Sequence, residues 1–442
     1  MKHTLHRRSF LKASAALGAA GFAVPSFAQS ENANEKLNIA VIGPGGRGYG
    51  NLMGILQENV VAFADVDQRR AAEAYEKCPD AKRFVDYREM LDKMDKEIDA
   101  VLVSTPDHTH AAPAVMAMKM GKHCYCEKPL AHQVYETRKM REVAAEKKLA
   151  TQMGTQIHAG DNYRRVVELV QGGAIGPVHH VHVWSAAVYG GVKLPTDKPP
   201  VPPELNWDLW IGPAPYRDYH PCYVPFHWRN WLDFGNGTLG DFGCHYGDLA
   251  FWALKLRYPT SVQVVEGPEP DPQATPLGLV IDYEFPEREG MPPVKYTWYD
   301  GGNKPAVLRK LSDDFDKGTD KKDSLMWGSA VLFEGDDGCL LSDYSNHVLL
   351  PKEKYADFKR PDPTIPSSIG HHKEWIEACK TGSPTTCNFD YSGALTEAVL
   401  LGMVSYRVGC KKLDWDGENL KAPNCPEADA FIRREYREGW TL

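Results

Sequence analysis

Two short stretches of the chain carry side chains whose types suit proton transfer. One is the run "EKP" at 127–129, which places Lys128 between a glutamate and a proline. The other holds Asp241 and His245, whose spacing of four residues puts both side chains on one face of a helix. Histidine is the usual proton carrier near neutral pH, and a nearby carboxylate can orient it. This set suits the oxidation of a carbinol, in which a base takes the hydroxyl proton while a hydride leaves the carbon.

Aromatic and cationic residues gather just before the second stretch. The run "FHWRNW" at 226–231 brings Trp228 and Arg229 together, and a glycine-rich loop separates them from Asp241. Sugars present flat C–H faces rimmed by hydroxyl groups, so an aromatic face beside a hydrogen-bond donor suits them. Trp228, Arg229, Asp241 and His245 are therefore the candidate substrate-binding residues. Tryptophan and arginine are also ordinary residues of cores and interfaces, and that alternative stays open.

A further group of histidines carries a weaker signal. The run "HHVHVW" at 179–184 alternates like a strand, which places His180, His182 and Trp184 on one face. No carboxylate stands at a fixed spacing from them, and the cysteines offer one close pair, Cys124 and Cys126. A zinc site of paired cysteines needs a second such pair. We therefore expect an ordinary sheet face, two buried thiols and no metal site.

The proton-transfer residues need an element that holds a hydride acceptor, and residues 40–51 fit that need. Gly43, Gly45 and Gly48 form G-x-G-x-x-G after a short apolar strand, 37–42, and before a helix expected through 51–57. In this context the motif cradles the pyrophosphate of a dinucleotide, because the glycines allow a tight turn and close backbone approach. The helix N-terminus adds free N–H groups. Gly46 and Arg47 belong to the same turn and are also cofactor-binding candidates.

A second strand, expected at 60–64, ends at Asp65. This position is about 20 residues past the glycines, where an acidic side chain accepts hydrogen bonds from the adenosine ribose hydroxyls. A carboxylate there repels a 2′-phosphate, so NAD is the expected cofactor and NADP is less favoured. Arg69 and Arg70 are the argument for NADP. The alternative role for Asp65 is to cap the next helix.

Two more strand–loop units complete this half of the chain. The runs "DAVLVSTPDHTH" at 99–110 and "GKHCYCEKPLA" at 121–131 each indicate a strand and a loop, with a helix at 111–120 between them. The repeated order predicts an α/β fold with a doubly wound parallel sheet, which binds ligands at the carboxyl ends of its strands. The residues at those ends are further cofactor-binding candidates: Ser104, Thr105, Pro106, His108, His110, Glu127 and Lys128.

This placement bears on the role of Lys128. A lysine is protonated at neutral pH, but partial burial beside a nicotinamide cation would lower its pKa and supply a neutral amine. The alternative is an exposed lysine at a strand end. For His245 the alternative is a surface-facing residue on a helix.

The glycine motif, Asp65, "STPDHTH" and "EKPLA" together resemble the glucose–fructose oxidoreductase / inositol dehydrogenase / rhizopine-catabolism (Gfo/Idh/MocA) family. The resemblance implies a Rossmann domain at 36–155 and, at 156–410, a substrate-binding and oligomerisation α/β domain with a large, mostly antiparallel sheet. It implies a tightly held NAD(P), a sugar, glycoside or cyclitol substrate, and a homodimer or homotetramer. It also implies that Lys128 touches the nicotinamide ribose and the substrate, that Asp241 binds or orients the substrate, and that His245 is the general acid and base.

The second half of the chain is rich in short strand patterns. Strands are predicted at 176–188, 261–266, 279–285, 294–299 and 330–344, with a hairpin turn at 334–338. Helices are predicted at 374–380 and 390–409, followed by a separate tail at 411–442. The long segment 189–235, dense in proline and tryptophan, is expected to be an ordered wall of the site.

Residues 1–28 resemble a twin-arginine export signal. The run "RRSFLK" at 7–12 precedes an apolar stretch at 13–24, and "SFA" at 26–28 fits a signal-peptidase site. The apolar stretch is too short to span a bilayer, so we expect no membrane span. We expect cleavage after Ala28 and a periplasmic protein. A net charge of −8, from 51 basic and 59 acidic residues, argues against a nucleic-acid partner, which needs a basic surface.

Export raises a question for a protein with a cytoplasmic cofactor. Twin-arginine export moves folded proteins, so NAD could be loaded inside the cell and carried across. Free NAD is scarce outside, so the bound nucleotide would have to be reduced and reoxidised within one cycle. A redox-neutral NAD-dependent sugar oxidoreductase, which oxidises one sugar and reduces another, satisfies this requirement, and so does the glycosidase described next.

Two other functions stay open. One is an NAD-dependent glycosidase that works by transient oxidation, elimination and re-reduction. The intact Glu127-Lys128-Pro129 favours the oxidoreductase. The other is a non-catalytic secreted sugar-binding protein, against which Lys128, Asp241 and His245 speak.

Overall fold

Six parallel strands form the sheet of the N-terminal half. A computed structural model describes residues 36–442, and the predicted export signal at 1–28 lies outside them. The strands are β1 (Asn38–Ile42), β2 (Asn59–Ala64), β3 (Lys82–Phe84), β4 (Ala100–Val103), β5 (His123–Cys126) and β6 (Thr151–Met153). Their order is β3-β2-β1-β4-β5-β6, and all neighbours are parallel. The predicted doubly wound sheet is confirmed, and its order reverses between β1 and β4.

Helices connect these strands and cover both faces of the sheet. They are α1 (Arg47–Met53), α2 (Gln68–Lys77), α3 (Tyr87–Lys93), α4 (Ala111–Lys119) and α5 (Val134–Lys147). Successive side chains of β1 enter two different apolar clusters, with Ala40 and Ile42 in one and Ile39 and Val41 in the other. A strand buried on both faces has no polar positions to alternate with, which explains its continuous apolar run.

The first helix is shorter and earlier than the sequence predicts. It ends at Met53, so the expected extension through 57 is wrong. Gly54 lies against the ring of His372, and a Cβ there would be 2.6 Å from the ring. The chain then turns, with the N–H of Ile55 donating to Leu52 O at 3.1 Å.

An eight-stranded sheet dominates the rest of the protein. Its strands are β7 (Val178–Trp184), β8 (Ser261–Glu266), β9 (Val280–Phe285), β10 (Val294–Tyr299), β11 (Ala330–Gly335), β12 (Cys339–Ser342), β13 (His347–Leu350) and β14 (Leu413–Asp414). The order is β13-β12-β11-β7-β10-β9-β8-β14. Only β7 and β10 pair in parallel among these neighbours, so the expected mostly antiparallel sheet is confirmed. The predicted strand 330–344 is the hairpin β11–β12, and β14 carries the sheet past residue 410, where the sequence predicted a separate tail.

Two long helices join the halves. The remaining helices are α6 (Asp161–Gln171), α7 (Trp207–Ile211), α8 (Gly237–Ala253), α9 (Ala306–Asp316), α10 (His371–Thr381), α11 (Phe389–Arg407) and α12 (Asp429–Ile432). Helix α8 packs on β7 and β11, and α11 packs on both α5 and α8. Helix α11 is buried from Ser392 to Tyr406, which explains why small and apolar residues occur on all its sides. Among the helices of residues 36–442, none has the length and apolar character to cross a membrane.

The segment between β7 and α8 and the end of the chain build one wall. Trp207, Trp210, Tyr223 and Phe234 form an aromatic cluster in that segment. The last residues fold back onto it: Arg437 donates from Nε to Gly212 O at 3.1 Å. The expected ordered wall is therefore present, and the chain's own C-terminus reinforces it.

Candidate active site

A cavity of about 430 Å³ opens where the carboxyl ends of β1, β2, β4 and β5 face the start of α8. Most of the candidate residues line it: Gly43, Gly45, Gly46, Arg47, Asp65, Ser104, Thr105, Pro106, His110, Glu127, Lys128, Trp228, Arg229, Asp241 and His245. Gly48 and His108 lie outside the lining. The cavity occupies the position where a doubly wound sheet binds its ligand. It also joins the "EKP" run to the residues of α8.

The turn after β1 has no room for side chains. A Cβ on Gly45 would lie 2.7 Å from Arg70 O, and one on Gly48 would lie 1.9 Å from Gly43 O. Gly43 has φ +77°, a left-handed conformation that favours glycine. The N–H of Gly48 donates to Gly45 O at 3.0 Å. Gly48 therefore packs against the backbone of the turn outside the cavity lining, while Gly43 and Gly45 expose their backbone to the cavity.

Asp65 lies at the end of β2 and faces this turn. Its Oδ1 accepts the N–H of Asp67 at 2.8 Å, and burial raises its pKa to about 7. The cap of α2 is Asp67, which accepts the N–H of Arg69 at 3.1 Å, so Asp65 is free of the alternative capping role. Arg69 pairs with Asp67 at 2.8 Å, whereas Arg70 lines the cavity.

His110 joins the loop after β4 to the loop after β5. Its Nδ1 lies 2.8 Å from Pro129 O, and its Nε2 lies 2.7 Å from Thr105 O. The ring is buried, and burial lowers its pKa. This contact fixes the backbone beside Lys128. Ser104 in the same loop accepts a hydrogen bond from Asn51 Nδ2 at 3.0 Å.

His108 has a different environment from the one predicted. Its Nε2 lies 2.9 Å from Trp210 O, and its ring packs against Trp210 and Phe234. Burial lowers its pKa to about 3, so the ring is neutral. His108 anchors the loop to the aromatic wall, and its side chain does not reach the cavity.

Glu127 accepts hydrogen bonds from three side chains. Asn51 Nδ2 and Gln156 Nε2 each donate at 2.8 Å, and Arg47 Nε donates at 3.2 Å. Burial alone would raise the pKa of Glu127, but Arg47, Lys128 and Asn51 outweigh it and hold the pKa low. The carboxylate therefore locks the α1 end of the turn to the "EKP" loop.

Lys128, Asp241 and Arg229 form a buried cluster at the centre of the cavity wall. Lys128 Nζ donates to the Asp241 carboxylate and, at 3.1 Å, to Asp241 O. Arg229 Nε lies 3.2 Å from Asp241 Oδ1, and its guanidinium lies 4.1 Å from the centroid of the Trp228 ring. Burial would raise the pKa of Asp241, but Lys128 and Arg229 hold it well below its usual range. Asp241 is thus an anion between two cations.

His245 lies one turn further along α8 and lines the same cavity. Burial, reinforced by the charge of Lys128, lowers its pKa to about 3, so the imidazole is neutral. Its Nδ1 is buried and has no hydrogen-bond partner among residues 36–442. The side chain lines the cavity, so the surface-facing alternative is excluded. Asp248, three residues further along α8, lies 2.9 Å from His158 Nδ1 through its Oδ1.

Sequence reasoning missed several lining residues, among them Asp107 and Trp440. Asp107 stands inside "STPDHTH" and is 3% exposed; burial raises its pKa well above the usual range, against the charges of Arg229 and Lys128. A charged residue at a strand end was the available signal. Trp440 lines the cavity from the far end of the chain, beside Tyr87, with the Arg88 guanidinium 4.4 Å from its ring centroid. No local pattern marks it.

Comparison with known proteins agrees with this architecture. Residues 37–155 match the Gfo/Idh/MocA oxidoreductase family, NAD-binding Rossmann fold, and residues 166–287 match the C-terminal α/β domain of that family. Myo-inositol 2-dehydrogenase of Thermotoga maritima is 29% identical over 174 residues, covering 39% of this chain and 48% of that protein. Alpha-N-acetylgalactosaminidase of Shewanella oneidensis is 29% identical over 210 residues, covering 40% and 45%. The chain spans about half the length of these curated relatives.

The similarity in fold extends over nearly the whole length of a solved structure from the comparison. The WlbA dehydrogenase of Bordetella pertussis, solved with NADH and UDP-GlcNAcA, superposes with a TM-score of 0.58. The match covers 86% of this chain and 99% of that chain at 14% sequence identity. At this identity the likeness establishes the fold.

Proposed function

This chain belongs to the Gfo/Idh/MocA family of NAD-binding oxidoreductases, and from that premise we propose that it oxidises a hydroxyl group of a sugar, glycoside or cyclitol. The observation that carries the proposal is the meeting of Lys128, Asp241 and His245 in one cavity with the glycine turn. A neutral His245 beside the buried Lys128–Asp241 pair suits proton transfer, which a binding protein without catalysis does not need.

The cavity suits a dinucleotide. Gly43 and Gly45 offer bare backbone to a pyrophosphate, and Asp65 offers a carboxylate to ribose hydroxyls. NAD supplies the hydride acceptor when bound. Asp65 favours NAD over NADP, while Arg70 in the same lining is the group that a 2′-phosphate would contact.

Proton transfer falls to His245 in this proposal. A neutral imidazole can accept the hydroxyl proton of the substrate, and the Asp241 anion four residues earlier stabilises the imidazolium that results. Lys128 and Arg229 hold Asp241 in place and present N–H donors to the substrate oxygens. The Trp228 and Phe226 rings beside Arg229 offer apolar faces for the C–H side of a sugar.

We extend the proposal to the whole protein: residues 1–28 direct twin-arginine export to the periplasm, and the nucleotide travels inside the folded chain. The support is the "RRSFLK" run together with the position of Trp440, which closes one side of the cavity from the C-terminal tail. A captive nucleotide favours redox-neutral turnover. We also propose that the chain forms a homo-oligomer, either a dimer or a tetramer. Light scattering measures its molar mass in solution and so distinguishes these states.

The first experiment identifies the nucleotide. The chain is purified, dialysed and denatured, and the released nucleotide is identified by mass; one NAD(H) per chain is expected. Sugars, glycosides and cyclitols are then screened for reduction of the bound nucleotide, with Lys128→Met as the test variant. Lys122→Met is the matched control, because Lys122 pairs with Asp95 at 3.0 Å outside the cavity. No nucleotide and no response to any polyol would contradict the proposal.

A second candidate function is NAD-dependent glycoside cleavage by transient oxidation, elimination and re-reduction. The relative from Shewanella oneidensis is named as a glycosidase. In this structure the position of Asp107 in the cavity is the observation that favours glycoside cleavage. Burial raises the pKa of Asp107 and so favours its protonated form, and a protonated carboxyl in the cavity can donate to a leaving glycosidic oxygen. Turnover of glycosides in D₂O separates the two functions: elimination puts deuterium on the carbon next to the oxidised one, and simple oxidation does not.

A further inference from the structure

Two histidines and a glutamate converge on the face of the eight-stranded sheet opposite α8. Strand β7 pairs with β11 so that Glu334 stands opposite His180, and His182 lies two residues along the same face. His182 Nε2 lies 2.5 Å from Glu334 Oε1, and His180 Nδ1 lies 3.8 Å from the same oxygen. The sequence predicted an ordinary sheet face because no carboxylate stood near 179–184; the missing carboxylate comes from another strand.

Both imidazoles are held in place through their other nitrogen. His180 Nε2 lies 2.9 Å from Thr297 Oγ1, and that hydroxyl donates to Asp282 Oδ1 at 2.7 Å. Its hydrogen is therefore committed to Asp282, so it accepts from Nε2–H and leaves the Nδ1 lone pair free. His182 Nδ1 lies 2.9 Å from the hydroxyl of Tyr299, which can accept Nδ1–H and leave Nε2 free. Outer partners of this kind orient the histidine ligands of metal sites.

We propose that His180 Nδ1, His182 Nε2 and Glu334 Oε1 bind a divalent first-row transition metal ion, with Zn²⁺ as the favoured ion. The three ligand atoms lie within 4.8 Å of one another. Zinc bonds of about 2.0–2.2 Å in a tetrahedron place ligand atoms roughly 3.3 Å apart, so small shifts of side chains suffice. Two imidazoles with one carboxylate favour zinc over magnesium or calcium, which prefer oxygen ligands.

The site is separate from the cavity and has an open position. None of its three ligands lines the cavity. His182 is 6% exposed, whereas His180 and Glu334 are 23% and 21% exposed, so water can reach a fourth coordination position. The rings of His180 and His182 have centroids 3.8 Å apart, so the two imidazoles already lie side by side at the site.

Metal titration of the full chain tests the proposal. The protein is stripped with a chelator, and Zn²⁺ binding is measured by calorimetry; Co²⁺ is substituted so that its visible spectrum reports the ligand set. We expect one Zn²⁺ per chain. Glu334→Gln and His180→Ala should each weaken binding by more than the roughly 10–100-fold that loss of an outer partner costs, and Tyr299→Phe by about 10-fold. Cobalt spectra of the variants should change with the affinity.

His179→Ala is the matched control. His179 precedes His180 on β7 but points to the opposite face, where it is 57% exposed. It should bind Zn²⁺ like the unchanged protein. His180 and Glu334 are partly exposed, so their variants should fold, which circular dichroism checks. Zinc binding that persists in the His180→Ala/Glu334→Gln double variant, or no binding by the unchanged chain, would overturn the proposal; the first result would locate the ion elsewhere, such as beside His158, Asp248 and Cys387.

Discussion

Replacing Asp241 by asparagine removes the anion that two buried cations share. Lys128 and Asp241 have side chains only 10% and 9% exposed, and Arg229 is 17% exposed. The substitution keeps the size of the side chain and one carbonyl oxygen. It leaves Lys128 and Arg229 without the carboxylate that they share.

Asp241→Asn should lower the free energy of unfolding by a large amount for an isosteric substitution. Removing one partner from a buried ion pair costs about 3–5 kcal/mol, because the remaining charge is uncompensated. Asparagine Oδ1 still accepts a hydrogen bond from a cation, which keeps part of the interaction, so we expect about 3 kcal/mol of lost stability. For a protein with about 5–15 kcal/mol in all, that is a substantial fraction.

The size of this effect depends on pH in a defined direction. The pKa of Asp241 lies below its usual range in the folded protein, since Lys128 and Arg229 outweigh the effect of burial. A lowered folded pKa gives stability that is fully present above the unfolded value of about 3.9 and is lost as pH falls further. The difference between the two proteins should therefore be constant from about pH 5 to 8 and should shrink in acid.

Urea unfolding of nucleotide-free protein measures the change. The double variant Asp241→Asn/Lys128→Met should be less destabilised than the sum of the single variants, by roughly 1–3 kcal/mol, because the second change removes an unpaired charge. Asp86→Asn is the control: Asp86 pairs with Arg88 at 2.7 Å with side chains 23% and 38% exposed, and such pairs contribute about 0–1 kcal/mol. A loss below about 1 kcal/mol for Asp241→Asn, or strict additivity in the double variant, would refute the reasoning.

Three further outcomes follow from the site. His245→Gln should lower kcat by about 10²–10⁴-fold while nucleotide content stays unchanged, because the group lost is a proton acceptor; an equal loss of nucleotide would assign it a binding role instead. Gly45→Ala should abolish nucleotide retention, because the new Cβ would lie 2.7 Å from Arg70 O. Gly50→Ala should still retain the nucleotide, because its Cβ would lie 3.9 Å from the nearest neighbouring atom. Mass analysis of the two purified chains measures the nucleotide content. NAD affinity of the stripped protein should rise with pH through about 7 as Asp65 ionises, and titrations of Asp65→Asn should be flat across that range.

The parts of the fold that could be predicted were those with a local cause. Alternating strands and helices in 37–155 determined the first sheet, because each strand and its connection lie close together in sequence. The "EKP" run and the α8 residues were found separately, each from its own spacing. Their contact, between Lys128 and Asp241, spans 113 residues and depends on how α8 lies over the ends of β4 and β5.

What could not be predicted depends on distant pairing. Helix α10 packs on the first sheet, with Trp375 in the same apolar cluster as Ile39 and Val41. The sequence of 371–381 does not indicate that this sheet is its packing partner. Glu334 meets His182 from 152 residues away, because two strands far apart in the chain are neighbours in the sheet. A strand pattern predicts which face a residue occupies and leaves open which strand lies beside it.

Trp440 gives the site an order of assembly in time. The glycine turn at 43–48 is synthesised long before Trp440, so this part of the cavity wall is missing until residue 440 has left the ribosome. A nucleotide that meets the chain earlier finds the turn without that part of the wall. We therefore expect enclosure of the nucleotide to follow the docking of Arg437 on Gly212, and a comparison of nucleotide content between the unchanged chain and Trp440→Ala tests this order.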